Sequence, residues 1–98
     1  MQIEVSNDPF GEAIKQAMEH LQKHHAEGTF GYADMPTWSE EMVQAIGEPE
    51  SKWVNSRILR DTNEAGLTET VGYEEFRLTE KGKDATFAID IRPSRQPG

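Results

Sequence analysis

The sequence predicts an α+β fold in which three helices accompany a small antiparallel β-sheet. Three observations carry this expectation. Apolar residues recur at helical spacing in three stretches. A glycine stops each stretch, at Gly28, Gly47 and Gly66. The segment 68–78 then reads as a β-ribbon that reverses at Gly72. A chain of 98 residues has room for one modest core, so residues 1–92 are expected to form a single domain and 93–98 a disordered tail.

Ile3 and Val5 alternate with polar neighbours, as in a short edge strand, and Ser6, Asn7 and Asp8 form a turn after them. Asp8 suits an N-cap and Pro9 the first helical position. Phe10, Ile14, Ala17, Met18 and Leu21 then supply one apolar face up to Gly28. Residues 29–32, Thr-Phe-Gly-Tyr, have the character of a brief strand, and 34–36 that of a turn. Thr37 with Glu40 matches a capping box for a second helix whose buried stripe is Trp38, Met42, Val43 and Ile46.

Gly47 ends that helix, and Glu48-Pro49 turns into a third, from Pro49 or Ser51 to Ala65. Val54, Ile58 and Ala65 share its inner face, flanked by Trp53 and Leu59, which leaves Lys52, Asn55, Ser56 and Arg60 outward. Gly66 provides a left-handed stop and Leu67 an apolar plug. Two strand registers remain open beyond it. In one the ribbon is 68–78. In the other, Phe87, Ile89 and Ile91 alternate as a strand, and Lys81-Gly82-Lys83 is the tip of a hairpin running from 73 to 91.

The run Ala45-Ile46-Gly47, Val54-Asn55-Ser56-Arg57-Ile58-Leu59, Glu64-Ala65-Gly66-Leu67 and Phe76-Arg77-Leu78-Thr79-Glu80-Lys81-Gly82 resembles a winged helix-turn-helix domain. It is similar to the small MarR-like and PadR-like regulators, in which a recognition helix is followed by a β-wing and a Thr-capped helix. The resemblance covers roughly residues 10–83 and is one of fold. It implies a small transcriptional regulator that binds double-stranded DNA, as a homodimer since paired half-sites raise specificity. The recognition helix would span about 50–65 and the wing would lie within 68–91. Lys52, Asn55, Ser56, Arg57 and Arg60 would carry contacts from the helix, and Arg77, Lys81 and Lys83 from the wing. The chain departs from the pattern where a large apolar residue is expected near Asp61 or Thr62.

Charge pulls the other way. The formal net charge is −8, and residues 1–50 hold ten acids against Lys15 and Lys23, while the second half is balanced at eight of each. Non-specific affinity for nucleic acid comes from Lys and Arg neutralising phosphates. Glu48 and Glu50 open the third helix, and Glu69, Glu74 and Glu75 line the ribbon beside Arg77. The alternative expectation is therefore an acidic winged-helix protein-interaction module or inhibitor that meets a basic protein partner. A basic tail with Arg92 and Arg95 could touch DNA.

The absence of cysteine excludes disulfides and thiolate zinc sites. His20, His24 and His25 are the one cluster suggestive of a metal, yet no ligand set is complete, and histidines near a helix C-terminus already complement its dipole. No metal, cofactor or catalytic residue is expected, since the adjacent carboxylates Glu40-Glu41 and Glu74-Glu75 face different ways and no nucleophile turn appears. With neither a membrane-length apolar run nor a leader pattern, the sequence reads as cytoplasmic.

Overall fold

The computed structural model describes residues 2–90. Four α-helices and four strands follow one another: β1 Gln2–Val5, α1 Pro9–His24, α2 Glu40–Ile46, α3 Val54–Glu64, β2 Thr68–Gly72, β3 Glu75–Leu78, α4 Glu80–Asp84 and β4 Thr86–Ile89, with 3-10 turns at Tyr32–Asp34 and Glu50–Trp53. The α+β class follows, with one more helix than the three expected.

Helix α1 is the spine. The Asp8 carboxylate accepts from Gly11 N at 2.8 Å and Pro9 occupies the first turn, so the start is capped as the sequence implies. Ala13, Ala17, Met18 and Leu21 are buried along one face. Against it pack Val54, Ile58 and Leu59 of α3, Leu67, and Phe76 and Leu78 of the hairpin.

Helix α2 begins later than expected. The cap is Ser39, whose hydroxyl accepts from Met42 N at 3.0 Å, not Thr37, so Trp38 lies ahead of the helix. A hydroxyl at Ser39 reaches the third amide of a helix that starts at Glu40; Thr37 sits too far upstream to do so. The expected buried stripe is correspondingly thin. Met42 and Ile46 are half-buried, Val43 is exposed, and no residue of α2 is fully buried.

In α3 the inner face runs through Val54, Ile58, Leu59 and Thr62, while Ala65, placed inside by the sequence reading, is exposed. The missing large apolar residue near Asp61 is replaced by Thr62. Its hydroxyl donates to the Ile58 carbonyl at 2.8 Å and meets the Thr68 hydroxyl at 3.0 Å, which makes a polar side chain tolerable there. Gly66, at φ +80°, ends the helix in the left-handed region as anticipated.

The strand question resolves to the first register. β2 and β3 are antiparallel, with Thr68 opposite Leu78 and Glu69 opposite Arg77, and a bulge between Thr70 and Gly72. The second register fails because 86–89 pairs elsewhere. β4 lies parallel to β1, with Ile3 opposite Phe87 and Val5 opposite Ile89. The alternation seen in the sequence is real, but its partner is the N-terminal strand. Lys81-Gly82-Lys83 is helical, in α4, because the Thr79 hydroxyl accepts from Gly82 N at 3.0 Å and starts a helix there. Gln22 of α1 donates to the carbonyls of Gly82 and Ala85 at 2.8 and 2.7 Å and fixes this corner to the spine.

Between α1 and α2, Phe30 forms an antiparallel bridge with Phe76. The brief strand expected at 29–32 is thus a single bridging residue against β3. Ile91, Arg92 and the expected disordered tail 93–98 lie outside the described residues.

Candidate functional site

The residues singled out from the sequence lie on the 3-10 turn before α3, on α3, on the hairpin and on α4, and most of their cations stand beside a carboxylate. Lys52 sits on the 3-10 turn before α3 with its ammonium 3.8 Å from Glu48. Asn55 is half-buried rather than outward, and its carbonyl oxygen accepts from Trp38 Nε1 at 2.9 Å. That bond ties the segment before α2 to α3. Ser56 and Arg60 are exposed and line a shallow concavity with Tyr32, Asn63, Thr70 and Phe76, between α3 and the hairpin.

Arg57 turns towards α1, where its guanidinium lies 3.9 Å from the centre of the Phe10 ring and 4.0 Å from Asp61. Arg60 also pairs with Asp61, at 3.3 Å. On the hairpin, Arg77 faces Glu69 across the strands at 3.2 Å. Lys81 donates to the Ala65 carbonyl at 3.0 Å and so caps the end of α3. Lys83 lies 3.2 Å from Glu80 and 3.6 Å from Glu27. The hydrogen bond to Glu80 raises its ammonium above the ordinary lysine value; burial works against this, and the Glu27 charge adds to the rise.

Exposed ion pairs of this kind contribute about 0–1 kcal/mol each, so they do not lock the cations in place. Their effect is on the field. A cation with a carboxylate beside it projects little positive potential into solution.

Lys23 and Lys81 have no carboxylate partner among the described residues, and several carboxylates have no cation. Glu40 and Glu41 on α2 and Glu50 on the turn before α3 have no cationic partner among the described residues. Two large apolar side chains are exposed within a turn of them in sequence, Val43 and Trp53, the latter 65 % exposed. Sequence reasoning had placed Val43 in the core and Trp53 at its flank. Tyr73, at the hairpin tip, is 93 % exposed, and no periodicity marked it.

At the C-terminal end of α1, His20 Nε2 bonds the Asp34 carbonyl at 3.0 Å, and since a carbonyl accepts, that nitrogen carries the proton. The His24 ring lies beside it, tilted by 51° with ring centres 4.8 Å apart, and His25 faces the Asp34 carboxylate at 3.8 Å. These contacts attach the 3-10 turn to α1. Among the described residues no group of three or more His, Asp or Glu side chains is arranged to hold a metal. No described helix is long and apolar enough to cross a membrane.

Comparison with protein-family models, curated proteins and solved structures finds no match to this chain.

Proposed function

We propose that this chain is an acidic winged-helix interaction module whose partner is a basic protein segment. The winged-helix reading is supported by the order of elements: α1, the bridging Phe30, α2, α3 and the β2–β3 hairpin, with Phe30 joined to the second hairpin strand. The observation that carries the functional reading is the division of charge. Lys52, Arg57, Arg60, Arg77 and Lys83 each stand within 4.0 Å of a carboxylate, whereas Glu40, Glu41 and Glu50 have no cationic partner among the described residues and lie within a turn in sequence of exposed Val43 and Trp53. A negative field carrying exposed aromatic and aliphatic anchors suits a cationic, partly apolar protein surface. It repels a phosphate backbone.

A duplex-binding transcriptional regulator is the second reading, and a specific feature favours it. Ser56, Arg60 and Asn63 line the concavity between α3 and the hairpin, where a helix-turn-helix protein presents its recognition helix. One titration separates the two. The full chain is mixed at low ionic strength with a fluorescent Lys/Arg-rich peptide and, separately, with a short fluorescent duplex. The interaction module predicts anisotropy change with the peptide that fades with added salt and disappears when Glu40, Glu41, Glu48 and Glu50 are changed together to Gln. Salt-sensitive duplex binding that Arg60→Ala and Lys52→Ala abolish would instead establish the regulator.

A further inference from the structure

Where the first turn of α1 meets α2, a cleft of about 430 Å³ opens to solvent. Its apolar lining is Pro9, Met42, Ala45 and Ile89, and its rim carries the carboxylates of Asp8, Glu12 and Glu41. Among the described residues no Lys or Arg lines it. Met42 and Ile89 are half-buried against the core, so the floor is firm, while Ala45 leaves a gap that a larger side chain would fill.

We infer that this cleft is the docking site for a short basic segment of a partner protein that inserts one aliphatic side chain between flanking Lys or Arg residues. The inference rests on the interaction-module reading above and names its site. The charge argument has two parts. The N-termini of α1 and α2 both point here and contribute roughly half a positive charge each. The three rim carboxylates exceed that sum, and the remainder is negative. One Asp8 oxygen accepts from Gly11 N and from the Ser6 hydroxyl, and Glu12 accepts from Gln16 at 3.2 Å, but among the described residues neither has a cation within 4.0 Å and Glu41 has no polar partner. A cationic segment completes this rim, and its aliphatic residue covers Met42 and Ile89. A wholly polar chain would leave the floor wet, and an acidic one would meet the rim with like charge.

The test uses the full chain and a fluorescent peptide with one leucine flanked on both sides by Lys and Arg. Binding should weaken on the order of tenfold or more when serine replaces the leucine, as expected for burying one aliphatic side chain. Ala45→Lys, which fills and recharges the cleft at an exposed helix position, should abolish binding, with circular dichroism confirming the fold. Glu41→Gln should weaken it, and Glu64→Gln, an equal charge change on α3, should leave it unchanged.

Binding that survives both Ala45→Lys and the serine peptide, yet is lost on neutralising Glu40, Glu41, Glu48 and Glu50, overturns the cleft while leaving the acidic-module reading intact. Absence of peptide binding to the unaltered chain overturns both. Tighter peptide binding after Arg92→Gln and Arg95→Gln would make the chain's own basic residues the occupant, and self-association abolished by Ala45→Lys would make it a second copy. Either result overturns the proposal of a partner segment.

Discussion

Phe30 and Phe76 are joined twice through their backbones, Phe30 N to Phe76 O at 2.8 Å and Phe76 N to Phe30 O at 2.9 Å, with their rings 6.1 Å apart. Both rings are buried. This pair ties the segment between α1 and α2 to the hairpin and lets a two-stranded ribbon gain a third backbone partner. An isolated hairpin is marginal in water, so the attachment stabilises both sides. Phe76→Ala should destabilise the domain by about 3–5 kcal/mol in urea unfolding, and Phe76→Leu by clearly less. A loss below about 1 kcal/mol for Phe76→Ala would mean that the hairpin does not depend on this contact.

The hydroxyls of Thr62 and Thr68 meet 3.0 Å apart, and each residue is 2 % exposed. Thr62→Val removes the partner of a buried hydroxyl and should cost about 1–3 kcal/mol. Replacing both threonines by valine leaves neither hydroxyl stranded. The double variant should therefore lose less than the sum of the two single variants, and additivity in a double-mutant cycle would show that the two do not interact.

At the hairpin tip Glu74 has φ +51°, the left-handed region that a side chain enters at a cost of roughly 1–2 kcal/mol. Glycine removes that cost and adds back roughly 0.5–1 kcal/mol of chain entropy. Glu74→Gly should thus be neutral to stabilising by about 1 kcal/mol, whereas Glu74→Ala keeps the strain. Thermal midpoints of the two variants measure the difference, and an equal shift in both would remove the conformational explanation.

Gly82 lies with its Cα against the Leu67 backbone, and a Cβ there would collide with the Leu67 carbonyl oxygen. Because the obstacle is backbone rather than a movable side-chain end, Gly82→Ala should cost about 1–3 kcal/mol or more. The Gln22 bond to the Gly82 carbonyl should suffer with it, so slowed hydrogen exchange across α4 ought to be lost. Unchanged protection would indicate that α4 can slide without penalty.

Lys15 and Lys83 are both held above the ordinary lysine value of 10.5, first by side-chain hydrogen bonds to Glu19 and Glu80 respectively. A raised folded-state value means that the stabilisation is complete below the unfolded-state value of about 10.4 and is lost as pH rises through the folded-state value. Stability should therefore be insensitive to these lysines' ionisation at neutral pH and decline in the alkaline range above about 10.5. Lys15→Met and Lys83→Met should each flatten that alkaline decline. Curves of unchanged slope in both variants would show that the ion pairs do not persist in solution.

Local signals were legible wherever one residue sets its own neighbourhood. Asp8, Pro9, Gly47 and Gly66 announced helix boundaries because capping and left-handed stops act over a few residues, whereas Thr37 was read as the cap that Ser39 supplies. The apolar period of α1 announced its buried face, and the alternation near Phe87 announced a strand. Charge composition warned, before any geometry, that the α3 arginines were outnumbered.

What remained hidden depended on partners far away in the chain. Periodicity says that Phe87 and Ile89 alternate but cannot say that their neighbour is β1, more than eighty positions away, so Lys81 and Lys83 could be taken for a hairpin tip. Asn55 looked available until Trp38 occupied it, and Arg57 was expected to carry a contact until it turned onto Phe10. Val43 belonged to an apolar stripe that the short α2 leaves partly uncovered. The sequence by itself determined the α+β class, the start of α1, the stop of α3 and the sign of the charge, since these follow from local propensity and composition. Tertiary structure alone decided the strand pairing, which cations meet carboxylates and where an apolar cleft opens, because each depends on through-space contacts that no spacing along the chain encodes.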